Sequence, residues 1–244
     1  NDGTPHTNQV FTLPAGTSGF GGYNTNNIIY NAIYLDMFVS ASQIDGQISS
    51  SPSGNDAITK ADALCASDGN KPSTPGVDYK ALLVAKASSP TTADSRYVCT
   101  TQACSAGESY NWVLQPNLRY ASYSNYEQIV GKTNSKAIFD PAATLGPIIA
   151  ASGTNAWTGL ANTSTGSTYG YYDWMTAYSG YTQGTIGGNI GGNCNNWTSN
   201  ASLNWSDPLT YGSMGSSWNT NYGLFGGSGD GCDTSYPLYC VQQP

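Results

Sequence analysis

The alternation of apolar and polar residues predicts strands near both ends of the chain. The first covers residues 33–39, where every second position is apolar. A continuous apolar run over residues 79–85 is typical of a buried strand, and residues 236–242 alternate again. Weaker strand patterns occur at 96–99 and 137–140. The apolar face of the first strand would carry Ile33, Leu35, Met37 and Val39.

One segment has the periodicity of an amphipathic helix. Residues 53–56 contain several residue types that favour a helix N-cap, and Gly69 is placed to end the helix as a C′ glycine. Cys65 would then lie on the buried face near the helix C-terminus, where it can anchor a disulfide. The predicted apolar stripe consists of Ala57, Ile58, Ala61, Leu64 and Cys65.

Beyond Trp157 the character of the sequence changes. From residue 161 to 231 there is hardly an apolar run, and Gly, Asn, Ser and Thr separate single large aromatic residues, which predicts a long loop region. Residues 1–32 are rich in turn-forming residues and are expected to form an extension that packs on the domain. Neither half has enough elements to bury its own core, so one domain over 33–244 is expected. The eleven Tyr and Trp residues of the loop region are Tyr169, Tyr171, Tyr172, Trp174, Tyr178, Tyr181, Trp197, Trp205, Tyr211, Trp218 and Tyr222.

The composition restricts the possible partners. Only 9% of the residues are charged, and the net charge is −7. Such an acidic chain repels phosphate backbones and anionic lipid, so nucleic acid and membrane surfaces are poor partners. No apolar run approaches the roughly 18 residues that a membrane span needs, so no membrane insertion is expected.

The six cysteines indicate an oxidising compartment. An even count in a chain rich in Tyr, Asn, Ser and Thr favours disulfides, and six cysteines allow fifteen pairings. Zinc is the alternative, but the closest pair, Cys99 and Cys104, has four residues between its members, and His6 is the single histidine. The first residues do not have the regions of a signal peptide. We therefore expect a mature, secreted or cell-surface chain from which the signal has been removed.

The order of these features resembles that of a known superfamily. A strand, a helix with a cysteine, Trp157-Thr-Gly-Leu160, a long loop region and a terminal strand with Cys240 follow one another. This order resembles the C-type-lectin-like superfamily, in which a Trp-Ile-Gly-Leu motif precedes a long loop. A closer match, over about residues 33–244, is with bacterial surface lipoproteins, notably of spirochaetes, whose domain has no assigned function. The matching blocks are Phe38-Val-Ser-Ala, Ala61-Asp-Ala-Leu-Cys65, Tyr79-Lys-Ala-Leu-Leu-Val84, Arg96-Tyr-Val-Cys99, Trp112-Val-Leu-Gln-Pro-Asn117, Trp157-Thr-Gly-Leu160, Cys194-Asn-Asn-Trp197 and Tyr236-Pro-Leu-Tyr-Cys240.

The resemblance implies an α+β fold with small antiparallel sheets, one clear helix, a long loop region and three disulfides. In that superfamily four cysteines pair first with fourth and second with third, which implies Cys65–Cys240 and Cys194–Cys232 here. Cys99–Cys104 is predicted as the third pair. The resemblance does not imply a function, because folds of this kind carry many binding roles.

The sequence does not predict an enzyme. Nucleophilic catalysis through His6 would depend on a residue of the terminal extension. Glycoside hydrolysis needs two carboxylates on either side of a bond, but Glu108 and Glu127 are the only glutamates, and the aspartates are scattered among turn residues. No glycine-rich phosphate loop follows a strand. No catalytic residue and no cofactor are therefore predicted.

Calcium-dependent sugar binding, which the superfamily suggests, is also not predicted. Gln115-Pro116-Asn117 resembles a calcium-binding triplet but precedes Trp157, and Trp205-Ser206-Asp207 resembles a second motif but lies 25 residues before Cys232. Calcium takes about six to eight oxygen ligands. Four aspartates could supply some of these ligands, but their spacing in the sequence does not bring them together. They are Asp173, Asp207, Asp230 and Asp233.

Surface Tyr and Trp residues among Ser, Gly and Asn are typical of a binding surface. We therefore expect an adhesin-like module that binds an extracellular protein through these aromatic-rich loops. A carbohydrate-binding lectin and a receptor-binding protein with diversified loops remain alternatives. Trp157 and Trp197 belong to the superfamily's core motifs and are expected to be buried. The predicted ligand contacts are Tyr171, Tyr172, Trp174, Trp205, Trp218 and Tyr222.

Overall fold

The computed structural model describes residues 34–51, 54, 56–85, 95–97, 109–123, 125–139, 155–161, 175–176, 193–202, 211–216 and 228–244. The predicted N-terminal extension, residues 1–32, lies outside this part. In chain order the described elements are β1 (Tyr34–Val39), α1 (Ala57–Ser67), β2 (Tyr79–Ala81), β3 (Arg119–Ser122), β4 (Asn125–Lys132), β5 (Asn155–Trp157), β6 (Leu160–Ala161), β7 (Met175–Thr176), α2 (Cys194–Trp197), β8 (Tyr211–Ser216), β9 (Ser228–Gly231) and β10 (Tyr239–Gln242).

The main sheet has five strands in the order β2-β10-β1-β3-β4. The first and last described strands, β1 and β10, pair antiparallel with Phe38 opposite Cys240. The expectation of antiparallel sheets holds for the two smaller sheets but not for the main one, because β1 and β3 are parallel, with Leu35 opposite Tyr120. The chain passes through α1 and β2 between these two strands, which is the long connection that a parallel pair requires. The fold is therefore α+β with a mixed sheet.

Both faces of β1 are buried. Leu35, Met37 and Val39 pack in one apolar cluster, as the alternation predicts, and Ile33 lies outside the described residues. Phe38 packs in a second cluster on the opposite face, where α1 covers the sheet. The sheet therefore separates two apolar cores, and the second one contains Trp157 and Trp197.

The helix α1 has the predicted buried face but a different C-terminus. Ala57, Ile58, Ala61 and Cys65 are buried, and Leu64 packs against the same cluster. The expected C′ role of Gly69 is wrong, because Gly69 does not adopt a positive φ. The extended residue Asp68 ends the helix, and its carboxylate accepts hydrogen bonds from the N–H groups of Ala41, Ser42 and Asn70. Although burial raises the pKa of Asp68, these hydrogen bonds outweigh that effect and lower it.

A buried ion pair closes the outer edge of β2. The guanidinium of Arg96 contacts both carboxylate oxygens of Asp62 at 2.7 Å and donates to the carbonyl oxygen of Ala81. Asp62 also accepts from the N–H of Ala81 at 2.9 Å. In the predicted strand over 96–99, Arg96 and Tyr97 each form an isolated β-bridge. The pattern at 137–140 forms one bridge, at Phe139.

Two of the predicted disulfides are present. Cys65–Cys240 joins α1 to β10, and Cys194–Cys232 joins α2 to the residue after β9. Cys99 and Cys104 lie outside the described residues, so the third pair stays a prediction. The long region after Trp157 is not all loop, since β8 pairs with both β5 and β9, and β6 pairs with β7. Across the described ranges, no helix is both long enough and apolar enough to span a membrane.

Candidate functional site

The predicted binding region, residues 161–231, is attached to the core at three places within the described ranges. Its start lies in β6, shortly after β5, its middle is held by α2, and its end is held by β8 and β9. The predicted ligand contacts all lie outside the described residues, so their role stays a prediction: they are Tyr171, Tyr172, Trp174, Trp205, Trp218 and Tyr222.

Trp157, at the end of β5, fixes the start of the region. Its side chain is completely buried, and its indole Nε1–H donates to the carbonyl oxygen of Ile44 at 2.9 Å. Its backbone N–H donates to the carbonyl oxygen of Pro237 at 3.0 Å. Its ring packs edge-on against Trp197 and Tyr236, with centroid distances of 5.9 and 4.9 Å. As expected, Trp157 is a core residue.

The turn α2 has a left-handed backbone. All four of its residues, Cys194 to Trp197, have φ between 49° and 62°. This conformation costs a non-glycine residue about 1–2 kcal/mol, although Asn adopts it more readily than most. The side chain of Asn193 accepts a hydrogen bond from the N–H of Asn196 at 2.9 Å. Four such residues in succession persist only where the surrounding structure fixes them.

Trp197 and Cys194 provide the contacts that fix α2. The Trp197 ring is completely buried, and its Nε1–H donates to the carbonyl oxygen of Val84 at 2.7 Å. Its carbonyl oxygen accepts from the N–H of Ser49 at 2.8 Å. Cys194 is bonded to Cys232. The middle of the binding region is therefore joined to the loop after β1, to the chain after β2 and to its own end.

Two glycines allow the backbone to approach the Cys194–Cys232 disulfide and the Trp197 ring closely. A Cβ on Gly46 would lie 2.3 Å from the Cys194 Sγ and 2.8 Å from the Cys232 Cβ. A Cβ on Gly159 would lie 2.9 Å from the Trp197 ring, and Gly159 also has a φ of +66°. Larger residues at these positions would push the disulfide or the indole out of place. Glycine at these two positions therefore allows both neighbouring segments to pack tightly against α2.

Polar contacts fix the end of the region. The Tyr236 hydroxyl donates to Asp230 Oδ2 at 2.5 Å, and the other carboxylate oxygen accepts from the N–H of Gly231 at 2.8 Å. Burial, followed by this hydrogen bond, raises the pKa of Tyr236 to about 12. On the exposed side, Ser202 donates to Asp233 at 2.6 Å. Asp230, a candidate calcium ligand, therefore has a structural role within β9.

The described residues do not gather a group that holds a metal. No cluster of three or more His, Cys, Asp or Glu side chains occurs within the described ranges. The motif Gln115-Pro116-Asn117 forms a turn before β3, where the Gln115 N–H donates to the Tyr120 hydroxyl and the Asn117 N–H donates to the carbonyl oxygen of Asn134. That turn leads into the main sheet and not into the sheet that holds the binding region. Asp173 and Asp207 lie outside the described residues.

The sequence interpretation missed several residues that build this attachment. Gly46 follows an aspartate in an ordinary turn signal, and nothing nearby in sequence indicates the disulfide against which it packs. Asn193 precedes a cysteine and two further asparagines, and this concentration of Asn was the available signal for a left-handed turn. The contact between Tyr236 and Asp230 joins residues six positions apart and has no sequence signature.

Comparison with known proteins identifies a family but not a function. No curated protein matches the chain. A family described as a protein of unknown function, DUF1554, matches residues 48–220. Because this match covers more than half of the 244 residues, the chain belongs to the DUF1554 family.

Proposed function

We propose that this chain is an exported or cell-surface, adhesin-like module that binds an extracellular protein and does not catalyse a reaction. The observation that carries the proposal is the attachment of residues 161–231. A disulfide-bonded core holds this region at its start, middle and end, while its sequence concentrates large aromatic residues among Gly, Asn, Ser and Thr. Rigid aromatic anchors among adaptable polar groups are the usual composition of a protein-binding surface.

The burial of two of the tryptophans supports this proposal. Trp157 and Trp197 are completely buried and pack against each other, so the attachment of the region already has its apolar core. The rings between the attachment points have flanking residues that are mostly Gly, Ser, Asn and Thr. Local apolar partners for these rings are therefore scarce, which favours contact with a ligand.

We further propose that the fold is C-type-lectin-like. Three described features support this proposal: the pairing of β1 with β10, the disulfide from α1 to β10, and the second disulfide across the end of the long region. The Trp-Thr-Gly-Leu sequence lies between β5 and β6, directly before that region. In this proposal the long region is the loop that the superfamily uses for recognition.

The disulfides also support the proposed location. Disulfides form and persist in secreted and surface proteins and are rare in reducing compartments. Cys65–Cys240 has a sequence separation of 175 residues and Cys194–Cys232 one of 38, so both join residues that are distant in the sequence. These are structural crosslinks of the kind that exported domains contain.

A panel of ligands tests the proposal. The purified chain and a variant with Trp205→Ala and Trp218→Ala are applied to arrays of extracellular matrix proteins and of glycans. We expect saturable binding to at least one protein, and loss of that binding in the double variant. Ile129→Ala is the control, because Ile129 is 40% exposed in β4, outside the binding region.

Glycans are the second candidate ligands, since aromatic rings also stack against sugar faces. Binding confined to the glycan array, and lost in the double variant, would replace the protein by a sugar as the ligand of this region. Binding to neither array, or protein binding that the double variant retains in full, would contradict the proposed function.

A further inference from the structure

A groove outside the binding region lies between the loop that follows β1 and the helix α1. Its volume is about 480 Å³, which falls within the range of natural small-ligand sites. The floor is apolar and consists of Ile44, Ile48 and Leu64. The rim is polar: one side of it comes from the loop after β1, and the other from α1 and the loop before β10. A ligand of this groove would therefore meet an apolar surface surrounded by hydrogen-bonding groups.

The floor of the groove belongs to the rigid core. The N–H of Ile44 donates to the carbonyl oxygen of Tyr236, and the N–H of Tyr236 donates to the carbonyl oxygen of Ile44. Both hydrogen bonds are 2.9 Å long. The same Ile44 oxygen accepts from the Trp157 indole at 2.9 Å. The N–H of Gly46 donates to the carbonyl oxygen of Cys232 at 2.7 Å. The loop that forms the groove is therefore held in place, so a ligand would not have to order it.

The rim presents uncharged hydrogen-bonding groups. Gln43, Gln47 and Ser235 are exposed, and within the described part of the chain their side chains have no hydrogen-bond partner. An amide side chain offers a donor and an acceptor side by side, so each glutamine can bind two neighbouring hydroxyl groups. Asp45 accepts the Gln47 N–H through Oδ1 at 3.0 Å, which leaves Oδ2 to accept from a ligand.

The charges around the groove disfavour a charged ligand. The lining contains one carboxylate, of Asp45, and one ammonium group, of Lys60. The Lys60 Nζ is already 3.3 Å from the carboxylate of Asp56, and the whole chain carries a net charge of −7. The two charges of the lining offset each other, and an anion would in addition meet the negative field of the whole chain. A neutral ligand needs no charged partner in this groove.

We infer that this groove binds a neutral saccharide. A neutral sugar unit has closely spaced hydroxyl groups that donate and accept, together with apolar C–H surfaces, and these properties complement the amide-rich rim and the aliphatic floor. The site is formed by seven residues between positions 43 and 64 and by Ser235, so none of its lining residues belongs to the aromatic-rich region. The module therefore has two separate recognition sites.

Saturation-transfer NMR on the whole chain tests this inference. The probes are glucose, galactose, mannose, N-acetylglucosamine and N-acetylgalactosamine, with their β-linked disaccharides. We expect at least one probe to bind with a dissociation constant on the order of 1 mM. The variant Q43A/Q47A should bind it at least about tenfold more weakly, because several hydrogen bonds are lost, while its melting temperature is unchanged.

Two controls separate the groove from other surfaces. Asn200→Ala removes an exposed amide elsewhere and should leave sugar binding unchanged. Trp205→Ala and Trp218→Ala, which alter the aromatic-rich region, should also leave it unchanged. The inference is overturned if no probe binds, if Q43A/Q47A binds as well as the unmodified chain, or if the tryptophan substitutions abolish sugar binding.

Discussion

At the scale of single residues, Asp36 is a charged group in an apolar position. It lies in β1 beside Phe38 and is 8% exposed, and its backbone N–H donates to the Gln242 side chain. No described residue donates a hydrogen bond to its carboxylate, and burial raises its pKa from 3.8 to about 6. The folded chain therefore binds this proton more tightly than the unfolded chain does.

This difference predicts how stability depends on pH. Because the folded pKa is the higher one, the contribution of Asp36 becomes more favourable as the pH falls from above 6 towards 4. At pH 8 the buried charge costs up to about 3 kcal/mol, so Asp36→Asn should raise the free energy of unfolding by up to that amount. Urea unfolding between pH 4 and 8 measures it, with the exposed Asp78→Asn as control. A variant less stable than the unmodified chain at pH 8 would contradict this prediction.

Arg96 is a second residue whose role depends on its partner. Its guanidinium is completely buried and paired with Asp62, whose side chain is 23% exposed. Removing one member of a buried pair typically costs about 3–5 kcal/mol, because the other charge is left behind. Arg96→Met should therefore destabilise the chain strongly in urea unfolding, and R96M/D62L should recover part of the loss. If R96M lowers stability by less than about 1 kcal/mol, the ion pair does not hold α1 to β2.

At the scale of elements, the attachment of α2 depends on space around the Cys194–Cys232 disulfide. Gly46→Ala would place a methyl group 2.3 Å from the Cys194 Sγ. Such overpacking typically costs about 1–3 kcal/mol, so the melting temperature should fall. Gly69→Ala is the matched control, because its methyl group would meet nothing closer than 4.0 Å. Equal melting temperatures for the two variants would show that the backbone around α2 is free to move.

The elements that could be predicted from the sequence are those whose apolar residues are regularly spaced. β1 and α1 follow from alternation and from the helical stripe, because these faces bury against the sheet and its two cores. The strands β3 and β4 were missed. Their sequence places the buried polar residue Ser122 next to apolar ones, and Thr133 directly after β4 is also buried, which obscures the alternation.

Long-range contacts limit how much of the candidate site can be predicted from the sequence. Burial of Trp157 and Trp197 was expected from the motifs that contain them. The packing of Gly46 on a disulfide joins residues about 150 positions apart, and Arg96 and Asp62 are 34 positions apart. Local periodicity contains no information about such pairs. The termination of α1 by Asp68 was missed for the same reason, since its partners Ala41 and Ser42 belong to another loop.

At the scale of the whole molecule, the two described disulfides should have different effects. By loop-closure entropy, Cys65–Cys240 contributes about 5 kcal/mol and Cys194–Cys232 about 4 kcal/mol, both as upper figures. Hydrogen exchange of C194S/C232S should show faster exchange in residues 193–202 and little change in β1. C65S/C240S should instead increase exchange throughout the main sheet. The same exchange pattern in both variants would contradict a separate attachment of the long region.

The central claim is that aromatic residues of the long region contact a ligand while Trp157 and Trp197 hold the region in place. The decisive measurement is the melting temperature together with the dissociation constant for the captured partner, in single alanine variants. The variants cover Tyr171, Tyr172, Trp174, Trp205, Trp218 and Tyr222, with Trp197→Ala as the core control.

We expect at least one of the six substitutions to weaken binding by about 2 kcal/mol or more without lowering the melting temperature. Trp197→Ala should lose about 3–5 kcal/mol of stability, because it empties a buried site. If all six substitutions lower the melting temperature and none weakens binding, these rings belong to the core and the account is wrong.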